Sequence, residues 1–275
     1  MTRNMLISVI LLGCMGLSHA ADNSNDDRVY KAGQTFGEGK PVSSKQAPVQ
    51  TDKPSDIPEQ AHQEAPAECE YRGIEEAKLA NAVRYSDFKS AKEALDCGAS
   101  ANSEINYIGG KTTILAFASA KGNADIVKEL IKRGAWFGIN EKKDIYGYTA
   151  LMHAAVNGHP EIIRILVSKG ADPDIKNNNG EAALLIAATY RNFEAIKELV
   201  ACNANPNTRD HDNMTPLMHA TARAPVVEFL INTGNANVFA IDDYANTALD
   251  IAIKRGHTKS ATILADAMAK QKGGK

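Results

Sequence analysis

Residues 144–172, DIYGYTALMHAAVNGHPEIIRILVSKGAD, are the stretch that decides the fold. The hydroxyl of Thr149 is placed to cap a helix that begins at Ala150. Gly158 suits the left-handed conformation that turns one helix into the next, and the apolar residues after Pro160 recur at helical spacing. The stretch therefore predicts a helix, a tight turn and a second helix.

This unit recurs along the chain. When the copies are aligned on the position of Thr149, successive spacings are 36, 36, 33, 33 and 32 residues. A period near 33 residues is typical of an array of stacked helix pairs. One such pair has too little apolar surface to offset its chain entropy, so neighbouring copies must stack. The aligned positions are Ala77, Thr113, Thr149, Ala182, Thr215 and Thr247.

The unit resembles the ankyrin repeat, and the resemblance spans roughly residues 74 to 268. It implies an all-α solenoid of about six stacked helix-turn-helix repeats joined by short β-turn connections. We expect a single domain over residues 69–272, with polar outer faces at its two ends. The expected repeats are 72–107, 108–143, 144–176, 177–209, 210–241 and 242–272.

Departures from the period predict local irregularities. Each of the first two periods has three extra residues, which fall between Ser100 and Tyr146 and predict protruding turns. In the fifth copy the turn between the helices is short around Ala224, and Asn235 adds a residue after Gly234. We expect Gly234 to end the second helix of that copy.

The amino-terminal residues predict export. Arg3 is followed by an apolar run from Met5 to Leu17, which is typical of a secretory signal peptide cleaved after Ala20. This predicts a periplasmic protein. The alternative is a lipoprotein anchored in a membrane through Cys14. Residues 21–68 contain five of the ten prolines and no apolar periodicity, so we expect a disordered leader.

The charge and composition limit the classes of partner that the protein is expected to bind. The formal net charge is −2, and it becomes −3 when removal of the signal takes away Arg3. This balance argues against a general nucleic-acid or anionic-membrane binder, so we expect no membrane contact unless Cys14 is lipidated. We expect the domain by itself to be a monomer.

Cysteine placement predicts a disulfide bond. Cys69 precedes the first helix and Cys97 ends the second, so the two lie on the same side of an antiparallel helix pair. A bond between them would close a loop of about 28 residues and stabilise the fold by about 3 to 4 kcal/mol. The alternative is two reduced thiols. Cys202 remains as a small hydrophobic residue.

Motifs for catalysis are absent from the sequence. Gly109-Gly110-Lys111-Thr112 resembles the end of a phosphate-binding loop, but Ile105 stands where the first glycine belongs. His153 and His219 lie two repeats apart, too far to share a metal ion, and are interpreted as packed or hydrogen-bonded residues of the stack. We expect no enzyme, no metal and no cofactor.

The resemblance also predicts where a partner would bind. In the ankyrin family the turn tips and the concave face of the first helices usually hold another protein. Five of the eight tyrosines fall there, and tyrosine and arginine are common anchors of interfaces. The positions transferred by alignment are Arg84, Tyr85, Lys143, Ile145, Tyr146, Tyr148, Asn157, Lys176, Asn178, Glu181, Tyr190, Arg209, His211, Asp212, Met214, Asp243, Tyr244, Asn246, Lys254 and Arg255.

Tyr146 and Tyr148 are the favoured centre of this surface, and we expect their replacement by alanine to leave unfolding nearly unchanged. Trp136 and Phe137 are interpreted as covering the irregular second repeat.

Two functions remain open. One is an exported, noncatalytic binding module, in the form of an immunity or inhibitor protein that occludes a toxic hydrolase. The other is a structural adaptor or lipoprotein scaffold of the envelope.

Overall fold

A computed structural model describes residues 74–107 and 110–273. The chain divides into two units, Met1–Glu64 and Ala65–Lys275, and the first lies wholly outside the described residues. The predictions of a signal peptide, a lipidated Cys14, a disordered leader and a disulfide partner at Cys69 therefore fall outside the described ranges.

Over its described residues, the second unit consists of six successive helix pairs, in agreement with the predicted all-α solenoid. Two short 3-10 helices, Ala135–Gly138 and Ala220–Ala222, interrupt the connections. The helix pairs are α1 (Glu75–Arg84) with α2 (Phe88–Asp96), α3 (Ile114–Lys121) with α4 (Ala124–Lys132), α5 (Ala150–Asn157) with α6 (Pro160–Ser168), α7 (Ala183–Thr189) with α8 (Phe193–Ala201), α9 (Pro216–His219) with α10 (Ala224–Asn232), and α11 (Ala248–Lys254) with α12 (Thr258–Gly273).

The extra residues of the first connection form a β-hairpin. Strand β1 (Glu104–Tyr107) pairs antiparallel with β2 (Gly110–Thr113), and Glu104 lies opposite Thr113. Gly110, which belongs to the stretch that resembles the end of a phosphate-binding loop, is the first residue of β2. Thr113 ends the hairpin and caps α3, so the strand leads directly into the helix.

Threonine side chains start the inner helices, which are the first helices of the pairs. Each hydroxyl accepts a hydrogen bond from an amide in the first turn of the helix and so satisfies a donor that has no partner within the helix. Ala182 has no hydroxyl, and no side chain caps α7. The acceptor hydroxyls and their donors are Thr113 with Ala116 N (3.1 Å), Thr149 with Met152 N (3.3 Å), Thr215 with Met218 N (3.4 Å) and Thr247 with Asp250 N (3.3 Å).

Small residues let the inner helices approach one another. Ala154 and Ala155 of α5 and Ala187 of α7 are completely buried. The outer helices bury only one face, as Val127 and Leu130 of α4 are inaccessible while Lys128 is exposed. One continuous cluster of buried apolar side chains results, and it runs from the first helix pair to the last.

Left-handed residues end most of the helices. Gly122, Gly158 and Gly256 have φ of 83°, 72° and 71°, as predicted for the turn between the paired helices. Ser86 and Arg191 adopt the same conformation without being glycine, with φ of 57° and 61°. The left-handed conformation in the turn from inner to outer helix is therefore imposed by the packing of the two helices as well as by the type of residue in the turn.

The prediction that Gly234 ends α10 in a left-handed conformation is wrong. Gly234 does not have a positive φ, whereas Asn235 has a φ of 55°. The amides of Thr233 and Gly234 both donate to the carbonyl of Phe229, and Ala236 N donates to Leu230 O. The extra residue of this repeat is absorbed in that turn, which moves the left-handed position to asparagine.

Polar side chains connect the turns of successive repeats. In the second to fifth repeats, the residue that precedes the outer helix reaches back to a carbonyl at the end of the previous inner helix or in the turn after it. Carbonyls at a helix end lack the amide partner that a continuing helix would supply, so these contacts help to satisfy them. The donors and acceptors are Asn123 Nδ2 with Ser86 O (3.1 Å), His159 Nε2 with Ala120 O (3.3 Å), Asn192 Nδ2 with Ala155 O (2.9 Å) and Arg223 NH1 with Arg191 O (3.0 Å).

Ion pairs connect the outer helices of the first four repeats. Arg133 of α4 binds Asp96 of α2, and the next contact joins Lys128 to Glu161 of α6 at 2.9 Å. Arg164 and Glu198 then form a bidentate pair, with N–O distances of 2.8 and 2.9 Å. Between the fourth and fifth repeats the rings of Phe193 and Phe229 meet edge to face, with centroids 5.7 Å apart.

Ala245→Gly should stabilise the protein. Ala245 has φ 59°, a conformation that costs an alanine about 1 to 2 kcal/mol, and Gly147 and Gly180 occupy the same position in other repeats. After the entropy cost of glycine, we expect a gain of about 0.5 to 1 kcal/mol in the free energy of unfolding, measured by urea denaturation. Gly147→Ala is the matched reverse change and should destabilise, because its Cβ would meet Asn178 Oδ1 at 2.4 Å. A loss of stability in Ala245→Gly would contradict this reading of the turn.

His159→Asn should make the protein less sensitive to acid. Burial holds the pKa of His159 below its ordinary value, partly opposed by the hydrogen bond to Ala120 O. The folded state thus prefers neutral imidazole, so its stability is intact above the ordinary pKa of about 6.5 and is lost as pH falls through the lowered value. Asn192 makes the same contact elsewhere without titrating.

We expect the parent to lose more unfolding free energy than His159→Asn between about pH 7.5 and pH 5, as measured by denaturant titration. Equal losses in the two proteins would show that His159 does not contribute to the acid response.

Candidate functional site

Each of the last four turn tips is built around one acidic or amide side chain. In the third repeat, Asp144 Oδ1 accepts hydrogen bonds from Tyr146 N at 3.0 Å and Tyr148 N at 2.7 Å. The tip backbone is thereby fixed in a tight loop from which the intervening side chains project. Equivalent acceptors are Asn177 (from Asn179 N and Glu181 N), Asp210 (from Asp212 N and Met214 N) and Asp242 (from Tyr244 N and Asn246 N).

Histidines tie two of these tips to the inner helices. His153 Nε2 lies 2.9 Å from Asp144 Oδ2, and His219 Nε2 lies 3.0 Å from Asp210 Oδ2. Burial opposes ionisation of Asp210, but the hydrogen bonds from His219 and from the tip amides outweigh it and lower the pKa of this carboxyl. The prediction that these histidines are hydrogen-bonded within the stack is confirmed.

The tips also bind one another. Asn178 N donates to Tyr146 O at 3.0 Å, and Asp243 N donates to Asp212 O at 3.2 Å. Long cationic side chains that stand one or two residues before three of the tip acceptors also donate to the backbone of the next repeat. These contacts make the row of tips one connected surface instead of separate loops. The cationic donors and their acceptors are Lys142 Nζ with Lys176 O (3.0 Å), Lys176 Nζ with Arg209 O (2.8 Å) and Arg209 NH1 with Ile241 O (2.8 Å).

The five predicted tyrosines divide into two groups. Tyr85 and Tyr244 are 78% and 80% exposed. Tyr146, Tyr148 and Tyr190 are half-buried. The exposed pair stands in the first and last repeats, whereas the half-buried group belongs to the third and fourth.

The half-buried tyrosines form one cluster with His153. The ring centroids of Tyr146 and Tyr148 are 6.1 Å apart, and the ring of Tyr148 meets that of His153 at 5.5 Å. Burial, the charges of neighbouring groups and a hydrogen bond with Tyr190 raise the pKa of Tyr148. The structure contradicts the expectation that Tyr146 and Tyr148 can be replaced without loss of stability, because Tyr148 packs against the core.

The other predicted residues also divide by exposure. Lys143 pairs with Glu104 at 3.3 Å. The side chain of Arg209 donates a hydrogen bond to Ile241 O beside the next tip. Met214 is packed against the core. The predicted residues that are exposed are Arg84, Lys143, Ile145, Lys176, Asn178, His211, Asp212, Asp243, Lys254 and Arg255, and those that are partly buried are Asn157, Glu181, Arg209, Met214 and Asn246.

Sequence reasoning missed several exposed apolar side chains. Ile241, beside the last tip, is 49% exposed. Phe137 is 73% exposed and stacks on Trp136 with centroids 3.8 Å apart, so this pair does not cover the second repeat as the sequence suggested. The signal available for this pair was its place in the second period, which is longer than 33 residues.

Within residues 74–107 and 110–273, no group of three or more His, Cys, Asp or Glu side chains is arranged to hold a metal ion. The same part of the chain contains no helix with the length and apolar character needed to cross a membrane.

Cys97 is disulfide-bonded, and its predicted partner Cys69 lies outside the described ranges. Cys202 is a free, half-buried thiol whose pKa is raised by burial and by Glu198.

Comparison with known proteins finds ankyrin repeats throughout the described domain. The family model for ankyrin repeats (3 copies) matches residues 79–177 and 184–272. An ankyrin repeat-containing protein of Treponema pallidum is 36% identical over 75 residues, which are 27% of this chain and 24% of that protein. Ankyrin repeat and SAM domain-containing protein 6 of Rattus norvegicus is 30% identical over 104 residues, 38% of this chain and 11% of that protein.

A third relative, the E3 ubiquitin-protein ligase XBAT33 of Arabidopsis thaliana, is 38% identical over 90 residues, 33% of this chain and 17% of that protein. The chain thus spans less than a quarter of the length of each of these relatives. Ankyrin repeats mediate binding to other proteins, so the repeat domain is a protein-interaction module. With the repeat period, the paired helices and a family match over both halves of the domain, the chain belongs to the ankyrin-repeat family.

Proposed function

We propose that this protein is an exported, noncatalytic binding module whose row of tips occludes a toxic hydrolase, as an immunity or inhibitor protein does. The observation that carries the proposal is the exposure of apolar side chains on a hydrogen-bonded row of tips. Ile145, Ile241 and Tyr244 are 52%, 49% and 80% exposed. Large apolar side chains exposed on a rigid surface are typical of protein interfaces.

The preorganised tips favour a binding role over a flexible tether. Each tip is fixed by bonds to its own acceptor and to the next tip, so little conformational entropy is lost when a partner binds. A rigid surface of this kind suits an inhibitor, which must hold one enzyme tightly. An envelope adaptor is the competing function, and it needs several partners instead of one.

Export is part of the proposal, with cleavage after Ala20 and a periplasmic location. The disulfide bond at Cys97 supports it, because such bonds persist in oxidising compartments. We assign Cys69 as its partner, in the segment just before α1. Mass spectrometry of the mature amino terminus tests the location: a chain starting at Ala21 agrees, whereas a lipidated Cys14 would indicate a membrane lipoprotein.

Substitution of exposed tip residues should abolish partner capture. In affinity capture from the native envelope, we expect the double variant Ile145→Ser/Tyr244→Ser to recover at least about tenfold less partner than the parent, because interface anchors often contribute more than 1.4 kcal/mol each. Both side chains are largely exposed, so thermal unfolding should move by only about 2 °C.

Phe88→Ser is the matched control. Phe88 is 39% exposed at the start of α2, at the opposite end of its helix pair from the tips, and its loss should leave capture unchanged. Equal capture by the tip variant and the parent would remove the proposed surface. Recovery of a single hydrolase, together with protection from its toxicity, supports the inhibitor. Recovery of several envelope proteins without protection would favour the adaptor instead.

A further inference from the structure

Cations line the edge of the array that lies opposite the tips. They occupy the last turn of an inner helix, or the turn to the outer helix, in five of the six repeats. The corresponding segments, 84–87, 121–123, 157–159, 190–192, 221–223 and 254–257, contain one acidic residue, Asp87. Lys254 donates to Asn246 in the last tip, so its side chain is directed toward the tips. We call the remaining cations the basic edge: Arg84, Lys121, Arg191, Arg223 and Arg255.

The basic edge is continuous because successive turns touch. Arg223 NH1 donates to Arg191 O at 3.0 Å, which joins the fourth and fifth repeats directly. Asn192 and His159 make the equivalent contacts between earlier repeats. The third repeat has no cation, so the cations that are one repeat apart across three repeats are those of the fourth to sixth; for packed helices one repeat is about 8 to 10 Å.

The basic edge has no carboxylate partners within the described residues. None of its five cations forms an ion pair there, whereas Lys254 lies close enough to Asp242 and Asp250 to help lower the pKa of both carboxyls. Acidic residues near the starts of outer helices have their own partners, as Lys197 pairs with Glu194 and Lys128 with Glu161. Asp87 beside the first turn caps α2 through Ser90.

The helix dipole accounts for a single cation at a helix end. It does not require the turns of the second to sixth repeats to lack acids, nor cations to occupy three consecutive repeats. Arg191, Arg223 and Arg255 are exposed in three consecutive repeats, where the charge is most concentrated. A row of exposed, unpaired positive charge is complementary to an acidic partner.

The spacing of the row identifies the class of partner. In an extended polypeptide, every third residue recurs after about 10 Å, which matches one repeat of the stack. Phosphates along one strand of duplex DNA recur every 3.4 Å, about three times as densely.

We propose that the basic edge binds an acidic, extended segment of the partner protein, with carboxylates at about every third residue. This inference rests on the proposed binding function and extends it to a second surface, at the far ends of the inner helices. It assigns Arg191, Arg223 and Arg255 as the principal carboxylate-binding residues.

Fluorescence anisotropy with a synthetic peptide of six Glu-Ser-Gly triplets tests this directly, using the mature full chain. We expect binding at low salt that weakens by about tenfold in Arg191→Gln/Arg255→Gln, because two charge contacts are lost. The control Lys132→Gln/Lys169→Gln makes the same charge change at the other ends of outer helices and should stay within about twofold of the parent.

Peptide controls test the chemistry and the spacing. The matching Gln-Ser-Gly peptide, and a peptide with the six glutamates placed together, should each bind more weakly. Equal binding of the glutamate and glutamine peptides, or of the parent and the arginine variant, would overturn the proposal. Tighter binding of a duplex oligonucleotide or of anionic phospholipid vesicles, lost in the same variant, would also overturn it.

The capture experiment separates this inference from the proposed function. If the parent recovers a partner and Arg191→Gln/Arg255→Gln recovers it equally well, the basic edge is not used while the binding module stands. If the parent recovers no partner, the proposed function fails whatever the peptide result.

Discussion

Burial of apolar surface between neighbouring repeats is the constraint on which the rest of the structure depends. In α7, every residue from Ala183 to Ala188 is at most 1% exposed, although the helix has only seven residues. Such burial requires α5 on one side and α9 on the other, together with α8 of its own pair. No helix pair can form this environment alone, so the array is stable only as a stack.

Polar contacts then set how the stacked repeats align. Tip amides bind the previous tip, residues such as Asn192 bind the preceding inner-helix carbonyls, and Arg164 with Glu198 joins the outer helices. Apolar packing between small residues is not very directional, whereas hydrogen bonds fix relative position. The outcome is a surface with fixed geometry, which is what a binding protein without catalytic groups needs.

Local signals in the sequence predicted the parts of the fold that depend on neighbouring residues in the chain. The caps at Thr113, Thr149, Thr215 and Thr247 and the left-handed Gly122 and Gly158 are such parts, because one residue and its immediate backbone decide them. The candidate surface was located by alignment, but its exposure was not predictable in the same way. Tyr146 and Tyr244 both stand two residues after their tip acceptor, yet Tyr146 is half-buried and Tyr244 is 80% exposed. The tip of the fourth repeat contacts Tyr146 through Asn178, whereas Tyr244 lies in the last tip, and no short stretch of sequence contains both contacting repeats.

Amide hydrogen exchange of the native protein tests the account most directly. If each repeat depends on its neighbours, the inner helices α5 and α7, which are covered on both sides, should exchange most slowly, and protection should decrease toward α1 and α11. Exchange in which the terminal helices are as protected as α7, or in which separate blocks of repeats open independently with equal protection, would contradict the central claim.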